Sequence, residues 1–387
     1  MGPLQGVRVV EMAGIGPAPF TAMLLADMGA DVIRVDRAQA QTGVLTFDRS
    51  KEVMNRSRPS VAVELKNPQG VETVLQLVES ADILLEGFRP GVMERLGLGP
   101  DVCRARNPKL VYGRMTGWGQ EGPLAQSAGH DINYIAIAGA LGAIGKPGQA
   151  PTIPLNLIGD FGGGGMMMAM GLLAAYIHAQ RTGEGQVVDA AMVDGANLLM
   201  TYFYGIRQVG LHSDHRGTNL LDGGAPFYDT YETKDGQHIA FGAIESAFYI
   251  RLLELLEIPL DDPDLSPKNQ YNPKKWPALR ARLTEIFLSR TRDEWSALFD
   301  GEDVCVAPIL SMSEAMEHPH AIARDAFVEI DGIKQPAPAP RFEKTPASIK
   351  SPPALPGQHT TKSLSSWGFS DEHIEALLQA GAIRQAD

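Results

Sequence analysis

Cysteine is scarce in this sequence, with only Cys103 and Cys305 among 387 residues. Two thiols are too few for a disulfide framework or for a metal site built from cysteine, and we predict no bound metal. Positive charge is also in deficit, because 34 Lys and Arg residues stand against 46 Asp and Glu residues, which gives a net charge of −12. Nucleic-acid binding through a broad basic surface is therefore disfavoured.

Long apolar runs are missing as well. The longest, residues 166–177, falls short of the roughly 18 residues that a membrane-spanning helix needs. The N-terminus lacks the basic, apolar and small-residue order of a signal peptide, and residues 383–387 do not form a Ser-Lys-Leu peroxisomal signal. Since hydrophobic residues still make up 44% of the chain, we expect a soluble cytoplasmic enzyme with a sizeable core and no membrane partner.

Strand and helix patterns alternate over the first 200 residues. The runs that predict strands are residues 7–12, 31–36, 60–65, 83–86 and 110–114. The helical patterns are residues 21–28, 69–79 and 91–96. Such alternation is typical of an α/β fold with a parallel sheet covered on both faces, so we predict one large Rossmann-like domain over residues 1–211.

The remaining chain has a different character. Residues 212–225 are polar and contain glycine, as a linker does, and residues 226–317 indicate a smaller α+β domain. The clearest signal in this domain is Asp235-Gly236 between two short strand patterns, because this dipeptide favours the positive φ angles of a hairpin turn. Residues 318–387 are predicted to form a proline-rich return segment and a C-terminal helix that pack on the large domain.

The first predicted strand leads into the loop Gly14-Ile15-Gly16-Pro17-Ala18-Pro19. Together with Asp36 at the end of the next strand, this loop resembles a dinucleotide-binding fingerprint. The third glycine is replaced by Pro19, which offers no N–H to a pyrophosphate, whereas Arg37 would suit a ribose phosphate. An NADP-dependent dehydrogenase therefore stays open as an alternative.

A second glycine-rich segment carries an acid. Asp160 precedes four glycines, residues 162–165, and an apolar helix predicted from Met166. Glycines before a helix let backbone N–H groups approach a ligand closely, but Asp160 is also a common type of helix N-cap. Four methionines at the start of the helix suit either core packing or a pocket for varied acyl chains: Met166, Met167, Met168 and Met170.

Several long strings resemble one family. Residues 6–11 with 24–36, 86–99 and 107–123 are similar to the opening and the central signatures of the family III CoA-transferases. The resemblance runs nearly end to end. It implies a CoA-binding large domain, an acyl-CoA thioester substrate and no cofactor besides the coenzyme A that enters with it. It also implies an interlocked homodimer, with each site formed between one subunit's large domain and the other's small domain.

The same resemblance implies a set of site residues. The catalytic residues would be His130, Asp160, Glu245 and Asn156. Coenzyme A would contact residues of the large domain: Arg37, Val63, Glu64, Leu65, Lys66, Gly87, Phe88, Arg89, Arg95, Gly129, Asp131, Ile132, Asn133 and Tyr134. The four methionines after the glycine run would line the acyl pocket.

Some strings favour proton transfer over CoA transfer within the family: residues 129–134, 156–164 and 242–245. In the transferases the aspartate matching Asp160 is a nucleophile that forms an acyl anhydride, and they carry a glycine-rich loop where this chain has residues 241–245. We therefore expect a racemase that interconverts (2R)- and (2S)-2-methylacyl-CoA thioesters by 1,1-proton transfer through an enolate. Its two bases would be His130 and Asp160 on opposite faces of the α-carbon, with Glu245 orienting the imidazole. A family III CoA-transferase with Asp160 as nucleophile is the main alternative.

Overall fold

The computed structural model describes residues 2–38 and 48–386. Its strands are β1 (Arg8–Met12), β2 (Asp31–Arg37), β3 (Ser60–Val63), β4 (Ile83–Glu86), β5 (Val111–Thr116), β6 (Val187–Ala191), β7 (Asp229–Glu232), β8 (His238–Phe241), β9 (Val306–Pro308), β10 (Phe327–Ile330), β11 (Ile333–Pro336) and β12 (Ile383–Arg384).

The α-helices are α1 (Pro17–Asp27), α2 (Pro68–Glu79), α3 (Val92–Arg95), α4 (Pro100–Arg106), α5 (Asp131–Ile137), α6 (Ala140–Ala143), α7 (Met167–Thr182), α8 (Met192–Leu199), α9 (Thr201–Gln208), α10 (Ser246–Leu255), α11 (Trp276–Phe287), α12 (Arg292–Phe299), α13 (Met312–Glu317), α14 (Pro319–Ala323), α15 (Thr360–Ser366) and α16 (Asp371–Gln379). A π-helix, Leu157–Met166, leads directly into α7. Short 3₁₀ turns are Arg49–Lys51, Val53–Asn55 and Pro267–Asn269.

The chain forms two compact units. The first unit comprises Met1–Ala138, Leu155–Leu199 and His320–Asp387, and the second comprises Gly139–Pro154 and Met200–Pro319. The second unit thus includes residues 139–154 and 200–211, which the sequence analysis assigned to the large domain. The first of these segments is joined to the rest of its unit by an ion pair of 2.5 Å between Lys146 Nζ and Asp229 Oδ1.

Within the described residues, a seven-stranded sheet in the order β12-β3-β2-β1-β4-β5-β6 forms the centre of the first unit. The pairings are parallel except that of β12 with β3. Without the added β12, this is the strand order of a doubly wound dinucleotide-binding fold, whose order reverses between β1 and β4. The predicted α/β fold with a large, mostly parallel sheet is confirmed.

Both faces of this sheet are covered. Val9 and Val10 are each wholly buried but belong to different core clusters, because successive side chains of a strand point to opposite faces. One cluster packs the sheet against residues of α2, α15 and α16, and the other packs it against α1 and α7. The fully buried β3 and β4 are what a parallel strand covered on both sides requires.

Several elements of the first unit were not predicted from the sequence, among them β6 and α4. β6 was missed because its strand pattern is weak: the only fully buried position is Ala191. α4 was missed because it is short and only Cys103 in it is buried. In addition, α1 begins at Pro17, four residues before the predicted start, since proline is favourable in the first helical turn.

The second unit is built on the antiparallel sheet β7-β8-β9. The predicted hairpin forms between β7 and β8, and Gly236 in its turn has a φ of 72°. β9 adds a third strand that the sequence analysis did not predict. Helices α10, α11 and α12 contribute buried side chains to one core that is rich in aromatic rings: Phe227, Tyr231, Phe241, Tyr249, Phe287 and Trp295.

The C-terminal return segment packs within the first unit. After α14 it forms the unpredicted hairpin β10–β11, whose turn has Asp331 and Gly332 at φ of 52° and 72°. Further along, Arg34 Nη2 donates a hydrogen bond of 2.9 Å to the carbonyl of Ala354. The segment ends with β12, which pairs antiparallel with the edge strand β3 and so covers that edge.

The π-helix and α7 together form a continuous helical stretch of 26 residues, Leu157–Thr182. By length and composition alone this stretch would be able to cross a membrane. The expectation of no such stretch rested on uninterrupted apolar runs, and Asp160 with the glycines around it interrupts this one. Met168 and Leu172 are wholly buried in the core cluster beneath the sheet. One side of α7 therefore packs in the core, whereas Met166, Met170 and Ile177 of the same stretch are exposed.

Candidate active site

One cavity of about 470 Å³ opens at the carboxyl ends of β1, β4 and β5. This is the edge where the strand order reverses and where doubly wound folds bind their ligands. Its lining combines the loops after these strands with the start of α5 and one residue of the π-helix: Ile15, Gly16, Pro17, Gly87, Phe88, Arg89, Pro90, Met115, Thr116, Gly117, Trp118, Ala125, Ser127, Ala128, Gly129, His130, Asn133, Tyr134, Asp160 and Met192. The structure thus brings His130 and Asp160 together in one cavity.

His130 is held by its backbone and has an exposed side chain. It is the N-cap residue of α5, and its N–H donates a hydrogen bond of 3.0 Å to Asn133 Oδ1. The Tyr134 hydroxyl donates to the carbonyl of Gly129, the residue before His130. The Tyr134 ring packs edge-on against Trp118, with ring centroids 4.8 Å apart. The imidazole therefore projects into the cavity from a fixed backbone.

Asp160 lies in the first turn of the π-helix. Its Oδ2 accepts a hydrogen bond of 3.0 Å from Asn156 Nδ2. Burial raises the pKa of Asp160 above its ordinary value, and the charge of Asp131 raises it further. The hydrogen bond from Asn156 and the nearby His130 lower it in part. A carboxyl group whose pKa is raised towards neutrality is better suited to give and take protons at physiological pH.

The side chain of Asp131 lies behind the site. Its side chain is only 5% exposed, and its Oδ1 accepts hydrogen bonds from the N–H groups of Gly159 (2.6 Å) and Asp160 (2.8 Å). The carboxylate therefore faces the protein interior, so a contact of coenzyme A with this side chain is not available.

The glycine run after Asp160 has a different role from the predicted one. The helix begins at Leu157, so Asp160 is not an N-cap and residues 162–165 are already helical. A Cβ atom added to Gly163 would lie 2.7 Å from the backbone nitrogen of Ala196, and one added to Gly195 would lie 1.8 Å from the Gly163 carbonyl oxygen. The glycines thus permit close backbone packing of the π-helix on α8 rather than presenting N–H groups to a ligand.

The fingerprint-like loop after β1 approaches the same acid. Gly16 has a φ of 72°, and a Cβ atom there would lie 3.3 Å from Asp160 Oδ2. The helix that follows has proline at its first and third positions, Pro17 and Pro19, and proline has no N–H to offer a pyrophosphate. A carboxylate thus lies against this loop, and both features argue against a dinucleotide phosphate there.

The predicted coenzyme A contacts fall into two groups. Those that line the cavity are Gly87, Phe88, Arg89, Gly129, Asn133 and Tyr134. Those that lie outside its lining are Arg37, Val63, Glu64, Leu65, Lys66, Arg95, Asp131 and Ile132. Arg37 and Val63 pair across β2 and β3, also at the carboxyl edge of the sheet. The Val63 side chain is 1% exposed in the core, so only its backbone is available to a ligand.

The four predicted acyl-pocket methionines differ in how exposed their side chains are. Met166 and Met170 are 50% and 59% exposed, whereas Met168 is wholly buried and cannot line an acyl pocket in this packing. The side chain of Met167 is partly exposed.

Glu245 belongs to the second unit, where it is the exposed N-cap residue of α10.

A buried contact between an acidic and a basic side chain beside the cavity was not predicted from the sequence. Glu86 and Arg114 are paired in register at the carboxyl ends of β4 and β5, with 3.4 Å between Oε1 and Nε. Glu86 Oε2 accepts a hydrogen bond of 2.7 Å from the N–H of Phe88, in the loop that lines the cavity. Burial raises the pKa of Glu86 to about 7. The sequence signal for this contact was the presence of opposite charges at the ends of two predicted strands.

A larger cavity, about 780 Å³, lies within the second unit beside Lys146 and Arg280. Both cations are engaged by one carboxylate, Asp229, and Arg280 also donates to the carbonyls of Gly223 and Gly224. The charged side chains of this cavity are therefore paired with one another, and no imidazole is among its lining residues.

Comparison with known proteins agrees with the geometry. Residues 4–360 match the family described as CoA-transferase family III, and the chain belongs to this family. It is 44% identical to α-methylacyl-CoA racemase of Mus musculus over 378 residues, which is 97% of this chain and 96% of the mouse protein. It is 43% identical to α-methylacyl-CoA racemase of Homo sapiens over 377 residues, again 97% of this chain and 96% of that protein.

Solved structures extend the similarity to the fold. A crystal structure of a CAIB/BAIF family protein from Brucella suis has a TM-score of 0.82 with 25% sequence identity, covering 95% of this chain and 99% of that chain. Curated relatives that are named CoA-transferases also match this chain. The family is therefore established, and both racemases and transferases are found in it.

Proposed function

We propose that the protein is a racemase of 2-methylacyl-CoA thioesters. The observation that carries the proposal is the presence of an imidazole, His130, and a carboxyl group with a raised pKa, Asp160, in one cavity at the ligand-binding edge of the sheet. Identity of 43–44% to racemases named for this substrate class supports the same reading.

Inversion of the α-carbon needs a base on one face and an acid on the other. One of His130 and Asp160 takes the α-proton, and the C–H electron pair moves into the enolate, leaving negative charge on the thioester oxygen. The other group then returns a proton to the opposite face of the α-carbon. The exchange needs no hydride and no electron acceptor, so coenzyme A enters only as part of the substrate.

The enolate oxygen requires hydrogen-bond donors in fixed positions. The first N–H groups of a helix have no acceptor within the helix, and α5 begins directly after His130. The Asn133 N–H already donates a hydrogen bond of 2.8 Å to the His130 carbonyl, so we propose the N–H groups of Asp131 and Ile132 as the donors. The N–H groups of Gly159 and Asp160 are unsuited to the role because Asp131 already occupies them.

The remaining surfaces suit the two ends of an acyl-CoA. Arg89 is exposed at the cavity and offers a guanidinium for a phosphate, while the exposed Met166 and Met170 offer adaptable apolar surface for an acyl chain. We also propose that the enzyme is cytoplasmic.

We further propose a homodimer in which Glu245 of a second copy orients the His130 imidazole. Exposed apolar side chains near Asp160 and on α8 and α9 support burial by another chain: Leu155, Leu157, Leu198, Leu199, Tyr202 and Tyr204. A carboxylate that accepts a hydrogen bond from one imidazole nitrogen would keep the proton on that nitrogen and leave the other nitrogen free to act as a base.

CoA transfer through an Asp160 anhydride is the second candidate, favoured by the relatives named as transferases. Hydroxylamine separates the two reactions. It would trap an acyl-aspartate and inactivate a transferase in the presence of acyl-CoA, whereas a racemase has no acyl-enzyme to trap.

The proposal is tested by incubating the purified protein with one 2-methylacyl-CoA epimer in D₂O, with no acceptor acid. We expect loss of optical purity with incorporation of α-deuterium, measured by chiral chromatography and mass spectrometry. Unchanged optical purity together with hydroxylamine inactivation would instead identify a transferase.

A further inference from the structure

We propose that Asp131 is a positioning residue that joins the turn carrying His130 to the backbone of Asp160 and so fixes the spacing of the two acid/base groups. The inference rests on the proposed function for its catalytic consequence. Its structural content, a carboxylate that clamps the π-helix, is independent of that function.

The clamp is formed by one oxygen atom. Asp131 Oδ1 accepts hydrogen bonds from two successive N–H groups, 2.6 Å from Gly159 N and 2.8 Å from Asp160 N. These N–H groups belong to the first turn of the π-helix, where a helix supplies no acceptor of its own. Because Asp131 is also the first residue of α5, directly after the N-cap His130, the same residue ties both functional side chains to one backbone turn.

The space around the clamp is tight. A Cβ atom added to Gly159 would lie 2.6 Å from Asp131 Oδ1 and 3.2 Å from Ile135. Glycine at position 159 is therefore what allows the carboxylate to reach both N–H groups. Any shift of the carboxylate would move the backbone of Asp160.

The charge of Asp131 calls for an explanation beyond holding the backbone. Among the described residues its Oδ2 has no hydrogen-bond partner, although the side chain is 5% exposed. Leaving a buried carboxylate oxygen unpaired is costly, and a neutral amide would present the same acceptor to the two N–H groups. The charge of this carboxylate also acts on its neighbour Asp160, whose pKa it raises.

The groups that act on Asp160 come from two elements. Asn156, the N-cap residue of the π-helix, donates to its carboxylate, and His130 and Asp131 act from the N-cap and first position of α5. Tyr134, also on α5, lies near enough to be affected by Asp160 and by Arg89 of the loop after β4. The Asp131 charge opposes ionisation of Asp160, so removing it lowers the pKa of Asp160.

Two variants separate the clamp from the charge. Asp131→Asn keeps an acceptor oxygen and removes the charge, whereas Asp131→Ala removes both. Asp101→Asn is the matched control, because Asp101 lies in the first turn of α4 with an exposed side chain. The readouts are hydrogen exchange of the Gly159 and Asp160 amides, and kcat and KM of racemisation against pH.

For Asp131→Ala we expect hydrogen exchange of these two amides to quicken by at least about tenfold, because their hydrogen bonds to a charged group are lost. We expect kcat to fall by about 10- to 100-fold, as when a reacting group is displaced, with little change in KM. For Asp131→Asn we expect near-normal exchange and an Asp160-dependent limb of the kcat profile moved to lower pH. The control should match the parent in all readouts.

Parental exchange rates in Asp131→Ala would overturn the clamp. A parental pH profile in Asp131→Asn would overturn the electrostatic part. If the unaltered protein does not racemise, the proposed function fails, and the exchange rates alone then decide whether Asp131 positions Asp160.

Discussion

Glu86 and Asp160 are both buried enough for desolvation to raise the pKa, but they face different partners. Asp160 has the neutral amide of Asn156 and lies in the cavity. Glu86 lies behind the cavity, bonded to the N–H of Phe88 and near Arg114, so it holds a loop and has no route to a substrate carbon. At the scale of the residue, the neighbours of a buried carboxyl group therefore decide whether it can exchange protons with a substrate or only stabilises the structure.

Substitution of Glu86 gives a prediction about stability and pH. The pKa of Glu86 is raised by burial from 4.5 to about 7, so between these values the folded protein keeps a proton that the unfolded chain has released. Stability is therefore lost as pH rises through this window, by about 3 kcal/mol in total. Glu86→Gln removes this dependence.

Urea unfolding of Glu86→Gln between pH 5 and pH 8 provides the measurement. The variant should lose less stability than the parent as pH rises. Glu121→Gln, at an exposed loop position, is the control and should follow the parent curve. A variant curve parallel to that of the parent would mean that Glu86 is not protonated in the folded state near neutral pH.

At the scale of the element, the π-helix is placed by glycine-to-glycine packing on α8. Gly195→Ala would put a Cβ atom 1.8 Å from the Gly163 carbonyl oxygen, so one helix must move. We expect a loss of stability of about 1–3 kcal/mol, the usual cost of overpacking. Gly205→Ala in α9 is the control, since a Cβ atom there meets nothing within 4 Å.

The midpoint of urea denaturation tests this pair. Alanine at position 205 should be neutral or add up to about 1 kcal/mol, because it replaces glycine inside a helix. Equal midpoints for Gly195→Ala and the parent would show that the two helices tolerate separation, and that the glycine run does not place Asp160.

The sequence predicts some elements of the fold better than others. Runs such as residues 83–86 show strands because their burial is continuous, whereas β6, with one fully buried residue, gives no such signal. His130 and Asp160 were identified from strings, but the role of Asp131 was not. Its clamp depends on a contact with Gly159, which is 28 positions away along the chain, and no local pattern encodes that contact.

At the scale of the molecule, the proposed homodimer predicts complementation. If His130 of one chain works with Glu245 of another, co-expressed His130→Ala and Glu245→Ala chains form mixed dimers with one intact site and one doubly altered site. We expect such mixed dimers to recover about half of the parental activity per dimer, while each variant alone stays low.

Differently tagged chains allow the mixed dimers to be purified and their racemase activity measured. Mixed dimers with no more activity than the separate variants would place Glu245 with the His130 of its own chain, or outside the site. Residues 139–154 belong to the second unit, where an ion pair joins Lys146 to Asp229. No sequence pattern connects these two segments, so the division into units was not predictable from the sequence.

The central claim is that His130 and Asp160 act on opposite faces of one α-carbon, and deuterium exchange with single epimers tests it most directly. Racemisation by His130→Ala and by Asp160→Asn should each fall by at least about 100-fold, while His178→Ala, exposed on α7, stays at the parental rate. Each impaired variant should still exchange the α-proton of one epimer in D₂O, and the two variants should exchange opposite epimers. Exchange of the same epimer by both variants, or racemisation by His130→Ala within a few-fold of the parent, would contradict the two-base account.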